Sequence, residues 1–413
     1  MTTTHRLGAS PHSDATEGLS SAELIAIGIE WGVRNYQPLD TVLVRGEGCW
    51  VFDADGNKYL DCLSAYSALN LGHCHPRLLR AMTEQASRLT LTSRAFRNDQ
   101  LPLFSRELAE LCGKDAVLPM NTGAEAVETA IKAARRWGYE RKKIPADRAE
   151  IIVFKNNFHG RTTTITGFSS EESYKKGFGP FTPGFVTVPF GDSAALQAAV
   201  SPRTCAVLTE PIQCEAGVII PPDGYLRRVR EICSENNVLL IADEIQTGLG
   251  RTGRLFACDH EDVVPDIYVL GKALAGGFYP VSAVVADRDV LDVFGPGSHG
   301  STFGGNPLGC AIAREAVRVM LDEDLAARAE TNGEWILEEI RALGSSKVAE
   351  VRGRGLIIGI ELRGPARQAC EELARKGMLC KETHDRVIRI APPLIATRGE
   401  LEFAVEKLAA VLA

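Results

Sequence analysis

The sequence has no excess of positive charge and no long apolar run. Its 413 residues include 46 Lys and Arg against 53 Asp and Glu, a formal charge of -7, which excludes a general nucleic-acid binder and a protein held on anionic membranes. No apolar run approaches the ~18 residues that cross a bilayer. Residues 1–20 are polar and lack the apolar core of a signal peptide. We therefore expect residues 1–22 to be a disordered leader on a cytoplasmic protein.

Paired cysteine motifs are also missing. The 11 cysteines are an odd number and form no C-x-x-C pair, which favours free thiols in a reducing cytosol. His73, Cys74 and His75 are adjacent, but Pro76 follows directly and no further ligand group lies nearby. This pattern predicts a turn, and we expect no metal site.

The middle of the chain alternates short apolar runs with helical patterns, such as Ala124 to Trp137. This alternation is typical of an α/β fold with a parallel sheet and helices on its faces. Seven strands are predicted: 116–118, 151–154, 186–188, 206–209, 238–242, 267–270 and 283–286.

The pattern changes at Pro307, where long helices and short strands predict a smaller α+β domain. The predicted division is a leader (1–22), an N-terminal segment packing with the small domain (23–65), a large domain (66–306) and a C-terminal small domain (307–413).

Polar groups follow three of the predicted strands, where ligands of parallel sheets bind. Asp243 follows one strand, Lys272 follows another, and Thr122-Gly123-Ala124 opens a helix after a third. Each alone is commonplace. Together they provide a carboxylate that can pair with a ring nitrogen, an amine that can react with an aldehyde, and a helix N-terminus that can bind a phosphate. A ligand with all three of these groups is pyridoxal 5'-phosphate (PLP). No Gly-x-Gly-x-x-Gly follows a strand, which disfavours a dinucleotide.

Six longer motifs resemble those of the class III, fold type I PLP-dependent aminotransferases. They are NTGAEA (121–126), FHGRT (158–162), EPIQ (210–213), DEIQTGLGRTG (243–253), GKALAGGFYPVSA (271–283) and STFGGNPL (301–308). NYQPLD, SAYSALNLGHCHP and VIRIAPPL also fit the branch of this family that acts on ornithine. The resemblance covers the chain from about residue 23 to its end and implies a mostly parallel seven-stranded sheet with helices on both faces, plus a smaller α+β domain.

The resemblance assigns roles around the cofactor. It implies that Lys272 forms the Schiff base with PLP and later moves the substrate proton, and that Asp243 pairs with the pyridinium. The remaining implied contacts are Phe158 and Ile245 on the two ring faces, Gln246 at the phenolic oxygen, Gly123 and Ala124 at the phosphate, and Thr302 at the phosphate of the partner subunit. A homodimer with shared active sites is therefore implied.

The resemblance also assigns a substrate site. Arg389 would bind the α-carboxylate of glutamate or 2-oxoglutarate, and Glu215 would mask it while ornithine is bound. Tyr36 and Arg161 would bind the α-groups of ornithine, with Tyr66 shaping the pocket. One position departs from the family pattern, since Cys214 stands where a Gly is usual before Glu215.

The implied activity is transfer of the δ-amino group of ornithine to 2-oxoglutarate. The alternative within the family is an acetylornithine or 4-aminobutyrate aminotransferase. Outside it, a non-catalytic PLP carrier would be expected to have lost Lys272, Asp243 or Arg389, and all three are present. A PLP racemase or mutase shares the fold but needs no 2-oxoglutarate.

Overall fold

A computed structural model describes residues 18–413, and most of the leader predicted for residues 1–22 lies outside them. The helices are α1 (Ser21–Trp31), α2 (Ser64–Ser67), α3 (Pro76–Ala86), α4 (Gln100–Cys112), α5 (Gly123–Glu140), α6 (Thr163–Gly167), α7 (Glu172–Lys175), α8 (Ser193–Ala199), α9 (Tyr225–Glu235), α10 (Arg288–Leu291), α11 (Pro307–Asp322), α12 (Leu325–Ala342), α13 (Arg367–Arg375) and α14 (Arg398–Leu412). Two short 3-10 helices are Ala257–Glu261 and Lys272–Ala275. Within the described residues, no helix has both the length and the apolar character needed to span a membrane.

Residues 18–413 contain fifteen strands, which form three sheets. They are β1 (Leu43–Glu47), β2 (Trp50–Asp53), β3 (Lys58–Asp61), β4 (Ala116–Met120), β5 (Glu150–Phe154), β6 (Phe185–Val188), β7 (Thr204–Thr209), β8 (Leu239–Asp243), β9 (Ile267–Leu270), β10 (Ser282–Ala286), β11 (Val348–Arg354), β12 (Ile357–Leu362), β13 (Met378–Leu379), β14 (Lys381–Thr383) and β15 (Val387–Ile390).

The central sheet has seven strands in the order β4-β10-β9-β8-β7-β5-β6. All its pairs are parallel except those of β10, which runs antiparallel to both β4 and β9. Alternate residues of β7 pack into separate hydrophobic clusters on the two faces of the sheet: Ala206 and Leu208 on one face, and Val207 on the other. Both faces are therefore covered, which explains the apolar runs in the sequence and confirms the predicted fold class.

Helix α5 begins where β4 ends, because Thr122 and Glu125 form a capping box. Its small residues allow close packing on the sheet: a Cβ at Gly138 would lie 2.7 Å from the Cβ of Cys205. The Ser282 hydroxyl of β10 donates to the Thr122 carbonyl at 2.7 Å. The start of α5 is thus fixed from both strands.

The C-terminal part has an antiparallel sheet in the order β11-β12-β15-β14. The N-terminal strands form a third sheet with β13, in which Leu60 of β3 pairs with Met378 in parallel. A single buried cluster contains Leu60, Leu270 of the central sheet and Ile388 of β15. The three sheets therefore share one continuous core.

Arg251 lies at the junction of these parts and is fully buried. Its guanidinium donates to the carbonyls of Leu356 at 2.8 Å and Pro392 at 2.6 Å and to Oδ1 of Asn70 at 2.5 Å. Burial lowers its pKa to about 9. Pro392 follows β15 closely, so Arg251 helps to fix that strand against the central sheet.

Candidate active site

A cavity of about 150 Å³ lies at the carboxyl ends of the central parallel strands. It is lined by Gly123, Ala124, Phe158, His159, Gly160, Glu210, Ile212, Asp243, Ile245, Gln246, Thr247 and Lys272. Seven of the residues implied for cofactor binding lie on this wall, although they come from four separate regions of the sequence. The structure thus brings the amine, the carboxylate and the helix N-terminus together.

Lys272 follows β9 after Gly271 and starts a short 3-10 turn with φ of +45°. Burial lowers the pKa of its ammonium, while Glu215 acts in the opposite direction. A lowered pKa increases the fraction of neutral amine, which is the nucleophilic form. Lys272 is therefore suited to attack an aldehyde in this cavity.

Asp243 is the last residue of β8 and is buried. Its Oδ2 lies 2.6 Å from Nδ1 of His159, and its Oδ1 accepts from the backbone N–H of Ile245 at 3.1 Å. Nε2 of His159 is buried without a partner in the described part of the chain. His159 therefore orients the carboxylate, a role that sequence reasoning missed even though the residue lies beside Phe158 in the FHGRT motif.

The N-terminus of α5 forms part of the cavity wall. A Cβ at Gly123 would lie 3.0 Å from Cδ1 of Ile245, and one at Gly160, where φ is +131°, would lie 3.0 Å from the Cβ of Ala124. Glycine is needed at Gly160 for both its backbone and its space. The first N–H groups of a helix lack intrahelical acceptors, so this end is suited to an anion such as a phosphate.

Glu210 was also missed as a site residue, although it begins the EPIQ motif. It follows β7, is buried, and accepts from the backbone N–H of Phe158 at 2.9 Å. Burial raises its pKa well above the usual value, and the nearby Asp243 carboxylate raises it further. Burial and the Asp243 carboxylate therefore favour the neutral form of Glu210, which holds the loop carrying Phe158 through this hydrogen bond.

Arg389 and Glu215 form an ion pair beside this cavity. Arg389 is on β15 with a side chain only 1% exposed, and its Nη1 lies 2.6 Å from Oε1 of Glu215. Burial acts to raise the pKa of Glu215, but Arg389 and Lys272 outweigh it, so the pKa is lowered. The Gln246 amide also donates to Glu215 at 3.4 Å. The pair is thus charged, and it is close enough to Lys272 to affect that residue's pKa.

Cys214 does not prevent this pairing. It is buried, and its Sγ lies 3.5 Å from the carbonyl of Ile212 within the same loop. The hydroxyl of Thr383 in β14 donates to the carbonyl of Glu215. The loop with the unusual cysteine therefore still presents Glu215 to Arg389.

Tyr66 packs over Arg389, with the guanidinium carbon 4.6 Å from the ring centre. It lies in α2, a short turn in which all four residues, 64–67, have φ between +47° and +70°. Oδ1 of Asp61 accepts from the backbone N–H groups of Leu63 and Ser64 at 2.9 and 2.8 Å. Non-glycine residues rarely occupy this left-handed region, so surrounding contacts impose the turn that presents Tyr66.

Six implied site residues are not on the cavity wall: Glu215, Arg389 and Tyr66 lie beside it, and the other three are exposed. The Arg161 side chain is exposed and packs on Tyr174, with its guanidinium carbon 3.8 Å from that ring centre. Tyr36 is 76% exposed, and Thr302 is exposed in the loop before α11. The structure therefore leaves the roles of Tyr36, Arg161 and Thr302 as predictions.

Known proteins resemble the chain over nearly its whole length. Residues 32–412 match the family Aminotransferase class-III. An ornithine aminotransferase of Bordetella pertussis is 60% identical over 387 residues, covering 93% of this chain and 94% of that protein. The solved structure of the Toxoplasma gondii ornithine aminotransferase has a TM-score of 0.96 at 45% identity, with 98% of each chain covered. An acetylornithine aminotransferase from Elizabethkingia anophelis has a TM-score of 0.88 at 46% identity, covering 95% of this chain and 99% of that chain.

Proposed function

The chain belongs to the class-III aminotransferases, and from that premise we propose that it is an ornithine aminotransferase that transfers the δ-amino group of L-ornithine to 2-oxoglutarate. The products are glutamate and glutamate 5-semialdehyde, which cyclises to pyrroline-5-carboxylate. Relatives named as ornithine aminotransferases match nearly the whole chain at 54% to 60% identity.

PLP is the cofactor that the family implies, and the cavity fits it. Gly123 and Gly160 leave space at the helix N-terminus for a phosphate. Oε1 of Gln246 is buried without a partner among residues 18–413, so its amide can rotate and donate from Nε2 to the phenolic oxygen. Asp243 and Lys272 supply the carboxylate and the amine. When bound, PLP supplies an aldehyde for the amine and a ring that withdraws electrons from the substrate carbon.

Lys272 and Asp243 carry the catalytic roles. The amine of Lys272 would hold the cofactor covalently and would carry the proton between the substrate carbon and the cofactor. The Asp243 carboxylate, held by His159, would keep a proton on the ring nitrogen. Phe158 and Ile245 would hold the ring between them, and Glu210 keeps Phe158 in place.

The Glu215–Arg389 pair is the observation that carries the substrate assignment. An enzyme that uses both glutamate and the δ-amine of ornithine meets an α-carboxylate beside the reacting carbon in one half-reaction only. A buried guanidinium suits that carboxylate bidentately. With Glu215 2.6 Å away, the guanidinium is neutralised when no carboxylate is present. The two half-reactions therefore share one pocket, and pairing with Glu215 sets whether the charge of Arg389 is available to a substrate carboxylate.

The far end of ornithine carries α-amino and α-carboxylate groups. Tyr36 and Arg161 bind these groups, and Tyr66 narrows the pocket between them and the cofactor. The exposed position of Arg161 in this chain allows it to face a substrate entering from solvent.

The active unit is a homodimer in which Thr302 of one subunit reaches the phosphate held by the other. Its exposure and its position outside the cavity of its own chain support this assignment. A two-fold arrangement makes the exchange reciprocal, so each subunit completes its partner's site.

Acetylornithine is the second candidate substrate, favoured by the 46% identity to the Elizabethkingia acetylornithine aminotransferase. The deciding experiment measures turnover of L-ornithine, N-acetylornithine and 4-aminobutyrate, each with and without 2-oxoglutarate. Formation of pyrroline-5-carboxylate that depends on 2-oxoglutarate supports the proposal. A higher kcat/KM for N-acetylornithine would favour the second candidate, and product without 2-oxoglutarate would indicate a different reaction type.

A further inference from the structure

The segment that carries Tyr36 is attached to the protein in an unusual way. Residues 33–40, here called the strap, contain no helix or strand. Within residues 18–413, the strap makes no backbone-to-backbone hydrogen bond to any other element. The side chains of Val33 and Tyr36 are 86% and 76% exposed. Backbone pairing therefore does not fix the position of Tyr36.

Side chains of the small domain hold the strap instead. Arg367, the first residue of α13, donates from Nη1 to the Gln37 carbonyl at 3.1 Å and from Nη2 to the Pro38 carbonyl at 2.8 Å. Lys381 of β14 reaches the Gln37 carbonyl at 3.4 Å. These two carbonyls directly follow Tyr36 in the chain.

Two carboxylates fix the cations that hold the strap. Glu382 accepts from Lys381 at 2.6 Å and from Arg367 at 3.2 Å, and Glu371 accepts from Nε of Arg367 at 2.7 Å. The Arg367 side chain is only 26% exposed. A planar guanidinium held by four acceptors has one orientation, and that orientation fixes the two adjacent carbonyls.

Strand β14 also contacts the loop that carries Glu215. Thr383, next to Glu382, donates to the carbonyl of Glu215. Burial raises the pKa of Tyr66, and both Tyr36 and Glu382 lie near enough to add to that effect. The strap, Tyr66 and the loop of Glu215 therefore meet around β14.

We propose that Arg367, Lys381 and Glu382 form a clamp that positions the strap, and with it Tyr36, for the α-amino and α-carboxylate end of ornithine. They are positioning residues that determine specificity, since none of them lines the cavity. The inference rests on the proposed function, because it needs ornithine to extend toward Tyr36. Glutamate, which ends at Arg389, does not need the clamp.

The test compares Arg367→Met with Arg367→Lys in the holoenzyme. Arg367→Met keeps an unbranched side chain but removes both carbonyl contacts, so KM for ornithine should rise roughly tenfold with kcat little changed. Single-turnover kinetics with glutamate should be unaffected. Arg367→Lys can reach one carbonyl and should restore part of the affinity for ornithine. Arg375→Met is the matched control, since Arg375 ends the same helix and is 67% exposed.

A second measurement follows the strap itself. Trypsin can cut after Arg34 at the start of the strap, and cleavage there should be faster in Arg367→Met than in the wild type or Arg375→Met. An unchanged KM for ornithine in Arg367→Met, or equal losses with ornithine and glutamate, would overturn the clamp. Absence of ornithine turnover in the wild-type enzyme would instead overturn the proposed function.

Discussion

At the scale of single residues, the active site depends on charges that the fold holds close together. Glu210, Glu215 and Lys272 lie around one small cavity, yet their pKa values do not move alike: that of Glu210 is raised and those of Glu215 and Lys272 are lowered. The two carboxyl groups differ in their partners, since Glu215 pairs with Arg389, whereas Glu210 accepts from a backbone N–H and lies near the Asp243 carboxylate. Each group therefore has a separate role at neutral pH.

Glu215→Ala tests whether Glu215 neutralises Arg389 while ornithine is bound. Without its carboxylate, Arg389 is a free guanidinium near Lys272, so the α-carboxylate of ornithine can dock there and present the α-amine. A change of ~1.4 kcal/mol in relative transition-state free energy moves the δ:α product ratio tenfold. Single-turnover kinetics with trapping of the cyclised δ-product should show this shift, while the glutamate half-reaction survives.

Arg389→Ala is the converse variant and should mainly impair glutamate and 2-oxoglutarate. Equal loss of both half-reactions in Glu215→Ala, with the δ:α ratio unmoved, would mean that Glu215 only supports the loop around Cys214.

Glu210→Gln tests the raised pKa of Glu210 through the pH dependence of stability. A carboxyl with a raised folded pKa stabilises fully below its unfolded pKa and loses that contribution as pH rises towards the folded value. Wild-type apoprotein should therefore lose stability relative to Glu210→Gln by about 1.4 kcal/mol per pH unit within that window. Thermal unfolding at pH 5, 6.5 and 8 measures the difference.

Glu107→Gln is the control with the opposite sign. The hydrogen bond from Arg314 lowers the pKa of Glu107, so its contribution is present above the unfolded pKa and is lost only at lower pH. This variant should be destabilised equally at pH 5, 6.5 and 8. A pH-independent difference for Glu210→Gln as well would show that Glu210 is ionised in the folded protein.

At the scale of helices and strands, the sequence predicted the regular elements well. Buried parallel strands are recognisable as apolar runs, and all seven predicted strands overlap strands of the central sheet. The position of β10 between β4 and β9 could not be predicted, because strand order depends on contacts distant in sequence. His159 and Glu210 were missed for the same reason, since only the folded chain places them against Asp243 and Phe158. The domain boundaries and the roles of the site residues stay predictions.

The left-handed turn at Tyr66 was equally hidden from the sequence. No glycine or asparagine lies in SAYS, and the turn depends on Asp61, which is itself paired with His73 at 2.8 Å. The local sequence cannot show that Asp61 is an acceptor for this turn, because His73, further along the chain, fixes its carboxylate. Strained backbone at a substrate pocket is a frequent feature of functional sites.

Ala65→Gly should therefore stabilise the protein. The left-handed region costs an L-residue ~1–2 kcal/mol, whereas the extra flexibility of glycine costs ~0.5–1 kcal/mol. Ala65 is exposed, so no packing is lost. Denaturant unfolding should show a gain of up to ~1 kcal/mol.

Ala327→Gly is the matched control, since Ala327 is an exposed residue in α12 with helical backbone. There the same change should cost up to ~1 kcal/mol. Destabilisation by both substitutions would mean that the turn at Tyr66 carries no strain.

At the scale of the whole molecule, the proposed dimer predicts that two defective variants complement each other when they form a mixed dimer. Thr302→Ala should weaken PLP binding by about tenfold or more, because a hydrogen bond to a charged group contributes ~1.5–3 kcal/mol. Lys272→Ala should abolish turnover, since proton transfer alone contributes typically ~10²- to 10⁴-fold. Mixed dimers of the two variants contain one site with neither change.

That intact site should recover up to half of the activity per mixed dimer and the wild-type affinity for PLP. Ser298→Ala in the same loop is the control, since its hydroxyl donates to the nearby Gly295 carbonyl. No recovery on mixing, or full activity in a monomer by sedimentation, would contradict a shared site.

The antiparallel strand β10 also has a consequence for how the chain is made. β4, which leads into the phosphate end of α5, has β10 as its neighbour in the sheet, and the Thr122 carbonyl is held by Ser282 of that strand. During synthesis, residues 116–126 therefore leave the ribosome long before the strand that completes their surroundings. Arg389 and the clamp strand β14 follow still later. A growing chain can acquire its cofactor site only when about two thirds of it has been translated, and its substrate site only near termination.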